Sequence, residues 1–139
     1  NILDLFSGIG SFGLECLSRG AASVTFLESY KEVLIVLKKN IDNLKQQNYS
    51  NIIEKDIFAE KTLKLLNNKF EIIFMDPPYK EKKLAVLLNT IIQLKLLKDN
   101  GIIIIHRHKK EEDIFPNKFN IVLKKNYGIS KIIFGNTLV

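Results

Sequence analysis

Four consecutive residues, Asp76-Pro77-Pro78-Tyr79, put a carboxylate, two proline positions and an aromatic ring side by side. Proline fixes φ and has no N–H, so this backbone offers carbonyl acceptors with little conformational entropy left to lose. A carboxylate and a carbonyl converging on one point suit an –NH2 group. Accepting both of its hydrogens aims the nitrogen lone pair at an electrophile and opposes delocalisation into a ring. A planar heteroaromatic amine is a weak nucleophile, so catalysis at such a clamp is positioning and electrostatics, without a covalent protein nucleophile. Tyr79 can stack on the base that carries the amine. The competing reading of the tetrapeptide is a plain Pro-Pro turn.

A second group of residues could hold the electrophile. The stretch LDLFSGIGSFG has glycines at Gly8, Gly10 and Gly13. Glycines there let the chain turn sharply and approach a ligand, and the following helix presents free N–H groups to an anion. Glu28 lies twenty residues after Gly8, where an acid can accept hydrogen bonds from both ribose hydroxyls. An adenosine ligand follows, and a tight strand-to-helix turn is the bland alternative.

The glycine pattern serves a dinucleotide and other adenosine cofactors equally, and Asp4 separates them. A carboxylate buried near a pyrophosphate is repelled, whereas a cofactor with cationic ammonium and sulfonium groups welcomes it. S-adenosylmethionine has both. Phe6, at the end of the same strand, joins this cofactor set. Asp56 could accept a bond from the adenine amino group, with the Ile57 N–H on a ring nitrogen and Ile57 or Phe58 packed on the ring. Capping is the alternative for both acids: of the loop's own N–H groups for Asp4, of the next helix for Asp56.

These residues need a scaffold that brings strand ends together. Short apolar runs alternate with segments of helical period, the pattern of βα units around a parallel sheet. Strands are expected at residues 2–6, 24–27, 52–54, 71–75 and 102–105. A helix runs to about Ser18 with Gly20 as its left-handed cap, and a second spans 30–44 with Val33, Leu37, Ile41 and Leu44 facing the sheet. A modest helix is expected over 59–66. Leu84, Leu87, Leu88, Ile91 and Ile92 mark another, and Asp99-Asn100-Gly101 turns the chain into strand five. Strands at 119–124 and 130–134, joined by a loop with Asn126 and Gly128, form an antiparallel hairpin.

The chain has 139 residues, 46% hydrophobic, which suits one domain over residues 1–139. No apolar run approaches the roughly eighteen residues of a membrane span, so no membrane partner is expected. One cysteine, Cys16, excludes an internal disulfide and fits a reducing compartment, the cytoplasm by default. Cys16 reads as a small core residue. The net charge of +6 favours an anionic partner such as nucleic acid, although only Arg19 and Arg107 are arginines and the lysines partly reflect overall bias. His106 and His108 alternate on one strand face without a third ligand, so no metal is assigned. They read as surface residues near a nucleic-acid groove, with Arg107 a candidate phosphate contact. Lys80, Lys82 and Lys83 could meet a phosphate or form a solvated helix start.

Asp76-Pro77-Pro78-Tyr79 resembles the Asp/Asn-Pro-Pro-aromatic motif of amino-directed S-adenosylmethionine-dependent methyltransferases. LDLFSGIGSFGLECLSRGA resembles their cofactor loop, and its wording is most similar to the bacterial RsmD-like family, which methylates a guanine N2 in 16S ribosomal RNA. The resemblance spans residues 1–135. It implies a doubly wound, Rossmann-like class I methyltransferase sheet of seven strands, the last antiparallel. It further implies S-adenosyl-L-methionine at Asp4, Phe6, Gly8, Gly10, Glu28, Asp56, Ile57 and Asp76, and an amine clamp of Asp76, Pro77 and Tyr79. Ribosomal RNA or the small ribosomal subunit would be the partner of a monomer. The family carries an N-terminal RNA-holding extension, and this chain starts after that point. The strand-five end, Ile105-His106-Arg107-His108, stands where the family leads one to expect acidic residues. A DNA adenine or cytosine amino-methyltransferase, an NAD-dependent oxidoreductase and a noncatalytic RNA-binding remnant are the rival readings.

Overall fold

The computed structural model describes residues 1–59 and 61–138. Its strands are β1 (Ile2–Leu5), β2 (Val24–Leu27), β3 (Ser50–Ile53), β4 (Phe70–Met75), β5 (Leu97–His108), β6 (Phe119–Tyr127) and β7 (Ser130–Thr137). They form one sheet in the order β3-β2-β1-β4-β5-β7-β6. β1 to β5 pair in parallel, and β7 runs antiparallel to both β5 and β6. This is the expected seven-stranded, doubly wound sheet with its last strand antiparallel. Strand order reverses between β1 and β4, and open α/β sheets bind ligands at the carboxyl ends of strands flanking such a reversal.

Alternation along the strands divides the core. Ile2, Val24 and Phe26 point toward α1 (Ser11–Ser18) and α2 (Lys31–Asn43), meeting Leu14, Leu17, Leu34, Leu37 and Ile41. Leu3, Leu5, Ile73 and Met75 point to the other face, under Leu84, Leu87, Leu88 and Ile91 of α3 (Leu84–Gln93). Cys16 packs half-buried beside the first group, and burial raises its thiol pKa. Helix α1 ends as expected on Gly20, φ +99°. Its N–H bonds to Leu17 O at 3.1 Å while the Ala21 N–H bonds to Cys16 O at 3.0 Å, leaving fewer orphan carbonyls.

The structure departs from the sequence expectations in three places. The buried stripe of α2 is Leu34, Leu37 and Ile41, with Val33 half-buried. Leu44 is exposed because α2 ends at Asn43 and the chain turns away there. The helix expected over 59–66 reduces to one 3-10 turn, Leu63–Leu65, with position 60 outside the described residues. Here the Asp56 carboxylate takes the Phe58 N–H at 2.9 Å and the Thr62 hydroxyl donates to the Asp56 carbonyl at 2.6 Å, local bonds that compete with a helix. Finally, Asp99-Asn100-Gly101 lies within β5. Pairing passes from Phe70↔Leu97 to Ile72↔Ile102, so the residues 98–101 form a bulge beside β4. No helix among the described residues is long and apolar enough to cross a membrane.

Candidate active site

β1 delivers the glycine loop. Within five residues Phe6, Gly8 and Gly10 adopt φ of +57°, +55° and +91°, which folds the chain back to start α1. A positive φ is unfavourable for phenylalanine, and Phe6 holds it at the wall of two adjoining cavities. Gly10 lines neither cavity: a Cβ there would stand 2.5 Å from Leu37 Cδ1, so it serves the turn and the close approach of α2. Gly8 lines the smaller cavity, of about 320 Å³, with Asp4, Ser7 and Asp76. Its N–H bonds to Glu28 Oε1 at 2.9 Å, and Glu28 Oε2 accepts the N–H groups of Ser29 and Tyr30 at 2.8 and 3.1 Å. One carboxylate therefore ties the glycine loop to the start of α2 while lining the larger cavity, of about 690 Å³.

Asp4 is only 1% exposed. Its Oδ2 accepts the Gly13 N–H at 3.1 Å, so capping does occur. Its Oδ1 is buried without a hydrogen-bond partner among the described residues. Burial raises the carboxyl pKa to about 7, with the Asp76 and Glu28 charges adding to the rise and the Gly13 bond opposing it. A buried carboxylate with one idle oxygen is a costly arrangement that a cationic ligand group would relieve.

On the other side of the larger cavity, the exposed Asp56 carboxylate caps Phe58 while Ile57 is buried beneath. The Phe6 and Phe58 rings meet at 5.9 Å and 51°, and Lys83 Nζ stands 5.2 Å from the Phe58 ring centre. A flat heterocycle would find apolar walls here and a carboxylate acceptor at the rim.

β4 carries the tetrapeptide to the wall of the larger cavity, and Asp76 lines the smaller one as well. Pro77 is buried; Pro78 and Tyr79 are exposed. The Pro78 carbonyl is occupied, accepting the Glu81 N–H at 2.9 Å and Arg107 Nη1 at 3.2 Å. No group among the described residues donates to the Pro77 carbonyl. Asp76 Oδ1 lies 2.7 Å from His106 Nδ1, whose ring continues from Nε2 to Ser130 Oγ at 2.8 Å. The Tyr79 ring stands edge-on to His108 at 5.6 Å and 87°.

Seven of the residues expected at the cofactor or the amine clamp, Phe6, Glu28, Asp56, Ile57, Asp76, Pro77 and Tyr79, thus line the larger cavity, and Asp4 and Gly8 join at the smaller one. One expectation fails. Arg107 is no phosphate contact: it is 2% exposed and fully engaged, with Nε and Nη2 each 2.9 Å from an Asp113 oxygen and further bonds to the Pro78 and Glu81 carbonyls. His106 is at the surface as expected, with its side chain 27% exposed, and both of its ring nitrogens have partners. Strand alternation hinted at opposite faces for Arg107 and the two histidines. Asp113, which completes the buried pair, carries no periodic or motif signal.

A family model described as Conserved hypothetical protein 95 matches residues 1–136. The chain belongs to that family. Within Conserved hypothetical protein 95, it is 37% identical over 127 residues to "Ribosomal RNA small subunit methyltransferase D" of Buchnera aphidicola, covering 88% of this chain and 63% of that protein. It is 32% identical over 132 residues to the protein of the same name from Haemophilus influenzae, covering 91% and 66%. The chain thus spans just under two thirds of the length of these relatives. A solved structure from Haemophilus influenzae, described as a "putative methylase", superposes with a TM-score of 0.83 at 30% identity, covering 100% of this chain and 87% of that one. The expected RsmD-like family membership is met by the family match and by the names of these relatives.

Proposed function

We propose that the chain is a single methyltransferase domain that transfers a methyl group from S-adenosylmethionine to the exocyclic N2 amine of a guanine in 16S ribosomal RNA. The observation that carries this reading is that one cavity is lined by both Asp76 and Asp4, the latter with a buried Oδ1 that has no partner among the described residues. The names of the relatives support ribosomal RNA as the substrate class.

When bound, S-adenosylmethionine supplies an electrophilic methyl on a sulfonium. Asp4 and Gly8 surround the methionine part, with Phe6 alongside and Gly10 shaping the loop. Glu28 accepts from the ribose hydroxyls, while Asp56 and the Ile57 N–H meet the adenine. Asp76 and the Pro77 carbonyl accept the two hydrogens of the guanine amine and turn its lone pair toward the methyl, and Tyr79 stacks on the base. Displacement at that methyl would release S-adenosylhomocysteine, and Asp76 would take up the surplus amine proton and pass it to solvent. Presentation of the guanine from a loop, or flipped from its stack, brings the amine to the mouth. The reading places the protein in the cytoplasm as a monomer acting on the small subunit.

Mass spectrometry of 16S ribosomal RNA from cells lacking the gene tests this reading. One N2-methylguanine is expected to disappear and to return with the gene on a plasmid. Unchanged ribosomal RNA, with a methyl lost from DNA adenine or cytosine instead, would contradict it.

A further inference from the structure

We propose that the end of β5, His106-Arg107-His108, is the positioning element of the tetrapeptide, and that His106 aims the Asp76 carboxylate at the substrate amine. The inference rests on the reading of Asp76 and Pro77 as an amine clamp.

Parallel register carries the argument. Met75 pairs with Ile105, so Asp76 emerges beside His106. From there each residue of the strand end meets the motif. His106 contacts Asp76 at 2.7 Å, Arg107 holds the Pro78 carbonyl at 3.2 Å, and His108 meets the Tyr79 ring at 5.6 Å. Alternation puts Arg107 on the opposite strand face from the histidines, so the loop is gripped from both sides.

An ionised carboxylate only accepts, so His106 Nδ1 is the donor to Asp76 Oδ1, and in the neutral ring Nε2 accepts the Ser130 hydroxyl. With both ring nitrogens engaged, the imidazole cannot swing. One Asp76 oxygen is thereby held and the other is left for the amine. Half of the Asp76 side chain is exposed, and without this bond its carboxylate would be free to rotate among water-facing rotamers. Arg107, bonded to both the Pro78 and Glu81 carbonyls, fixes the backbone whose Pro77 carbonyl supplies the second acceptor.

The Ser130–His106–Asp76 sequence of bonds has the connectivity of a nucleophile–base–acid array, but the exposure is reversed. In such arrays the acid is buried and the hydroxyl faces substrate. Here Asp76 lines both cavities and Ser130 lines neither. The chain of bonds therefore serves the carboxylate. His106 is a positioning residue, since it acts through Asp76.

The test uses the full chain, tritiated S-adenosylmethionine and small ribosomal subunits from cells lacking the gene, with cofactor affinity measured by calorimetry. For His106→Ala, kcat is expected to fall about tenfold to a hundredfold, the cost of one hydrogen bond to a charged group. KM for the subunit and affinity for S-adenosylmethionine should stay within about twofold, because the perturbation acts on the amine's orientation. His106→Asn, whose side-chain amide can donate from nearly the same place as Nδ1, should recover most of the loss. Unchanged kcat in His106→Ala, or no recovery in His106→Asn, overturns the inference. Asp76→Ala, assayed in parallel, separates the two levels: if it is inactive while His106→Ala is normal, only the role of His106 fails. If Asp76→Ala is itself fully active, the clamp reading fails.

Discussion

Replacing Asp4 with asparagine should remove a pH dependence that the wild-type fold carries. The Asp4 carboxyl titrates near 3.8 when unfolded and near 7 when folded, chiefly because burial disfavours its charge. Below pH 3.8 both states hold the proton, and the site costs the fold nothing. As pH rises toward 7, the unfolded chain releases a proton that the folded chain keeps, so stability is progressively lost, and above 7 the loss is complete. At about 1.4 kcal/mol per pH unit the loss amounts to about 4 kcal/mol. Asparagine keeps an oxygen for the Gly13 N–H and does not titrate. Its amide leaves an unpaired donor where Oδ1 was, a pH-independent cost of about 1–3 kcal/mol. Urea denaturation of both proteins without cofactor, at half-unit steps from pH 5 to 8, is the assay. The stability of Asp4→Asn relative to wild type should improve by about 2 kcal/mol between pH 5 and 7 and then level off by pH 8. A difference that stays constant across the range would refute the assignment of a buried, costly carboxylate at this position.

Two further variants probe the scaffold. Arg107→Met leaves the Asp113 carboxylate, whose side chain is only 10% exposed, without its partner, takes a donor from the Glu81 carbonyl, and should destabilise by about 3–5 kcal/mol in urea titration; Arg107→Met with Asp113→Leu should recover a substantial part. A loss below about 1 kcal/mol would mean that the pair behaves like an exposed one. Gly13→Ala gains helix propensity worth up to about 1 kcal/mol. Its Cβ, however, would stand 2.4 Å from Phe26 Cε1 and 2.8 Å from Val24 Cγ1, both in fully buried side chains. Overpacking of about 1–3 kcal/mol should win and lower the melting temperature, whereas a rise would show that β2 yields easily.

Strand positions and many of the residues that line the two cavities were legible in the sequence because they depend on local pattern. Short apolar runs mark β1, β2 and β4, the glycines mark the turn out of β1, and two prolines mark the end of β4. What was not legible depends on pairing between distant segments. Among its described residues the third crossover has a 3-10 turn in place of a helix, because Asp56 and Thr62 bond locally, a competition that helical periodicity does not register. The roles of His106 and Arg107 follow from the Met75↔Ile105 register and from the fold of the loop that brings in Asp113, neither of which is encoded in any single stretch. Their alternation was visible, but not what each face would meet.

The central claim is that a carboxylate at the cavity mouth grips the amine while the methyl donor is held separately by the glycine loop. Asp76→Ala, titrated with S-adenosylmethionine by calorimetry and assayed for methyl transfer to unmethylated small subunits, tests it most directly. The account predicts cofactor binding within a few fold of wild type and methyl transfer reduced by about a hundredfold or more. Wild-type turnover in that variant would contradict it.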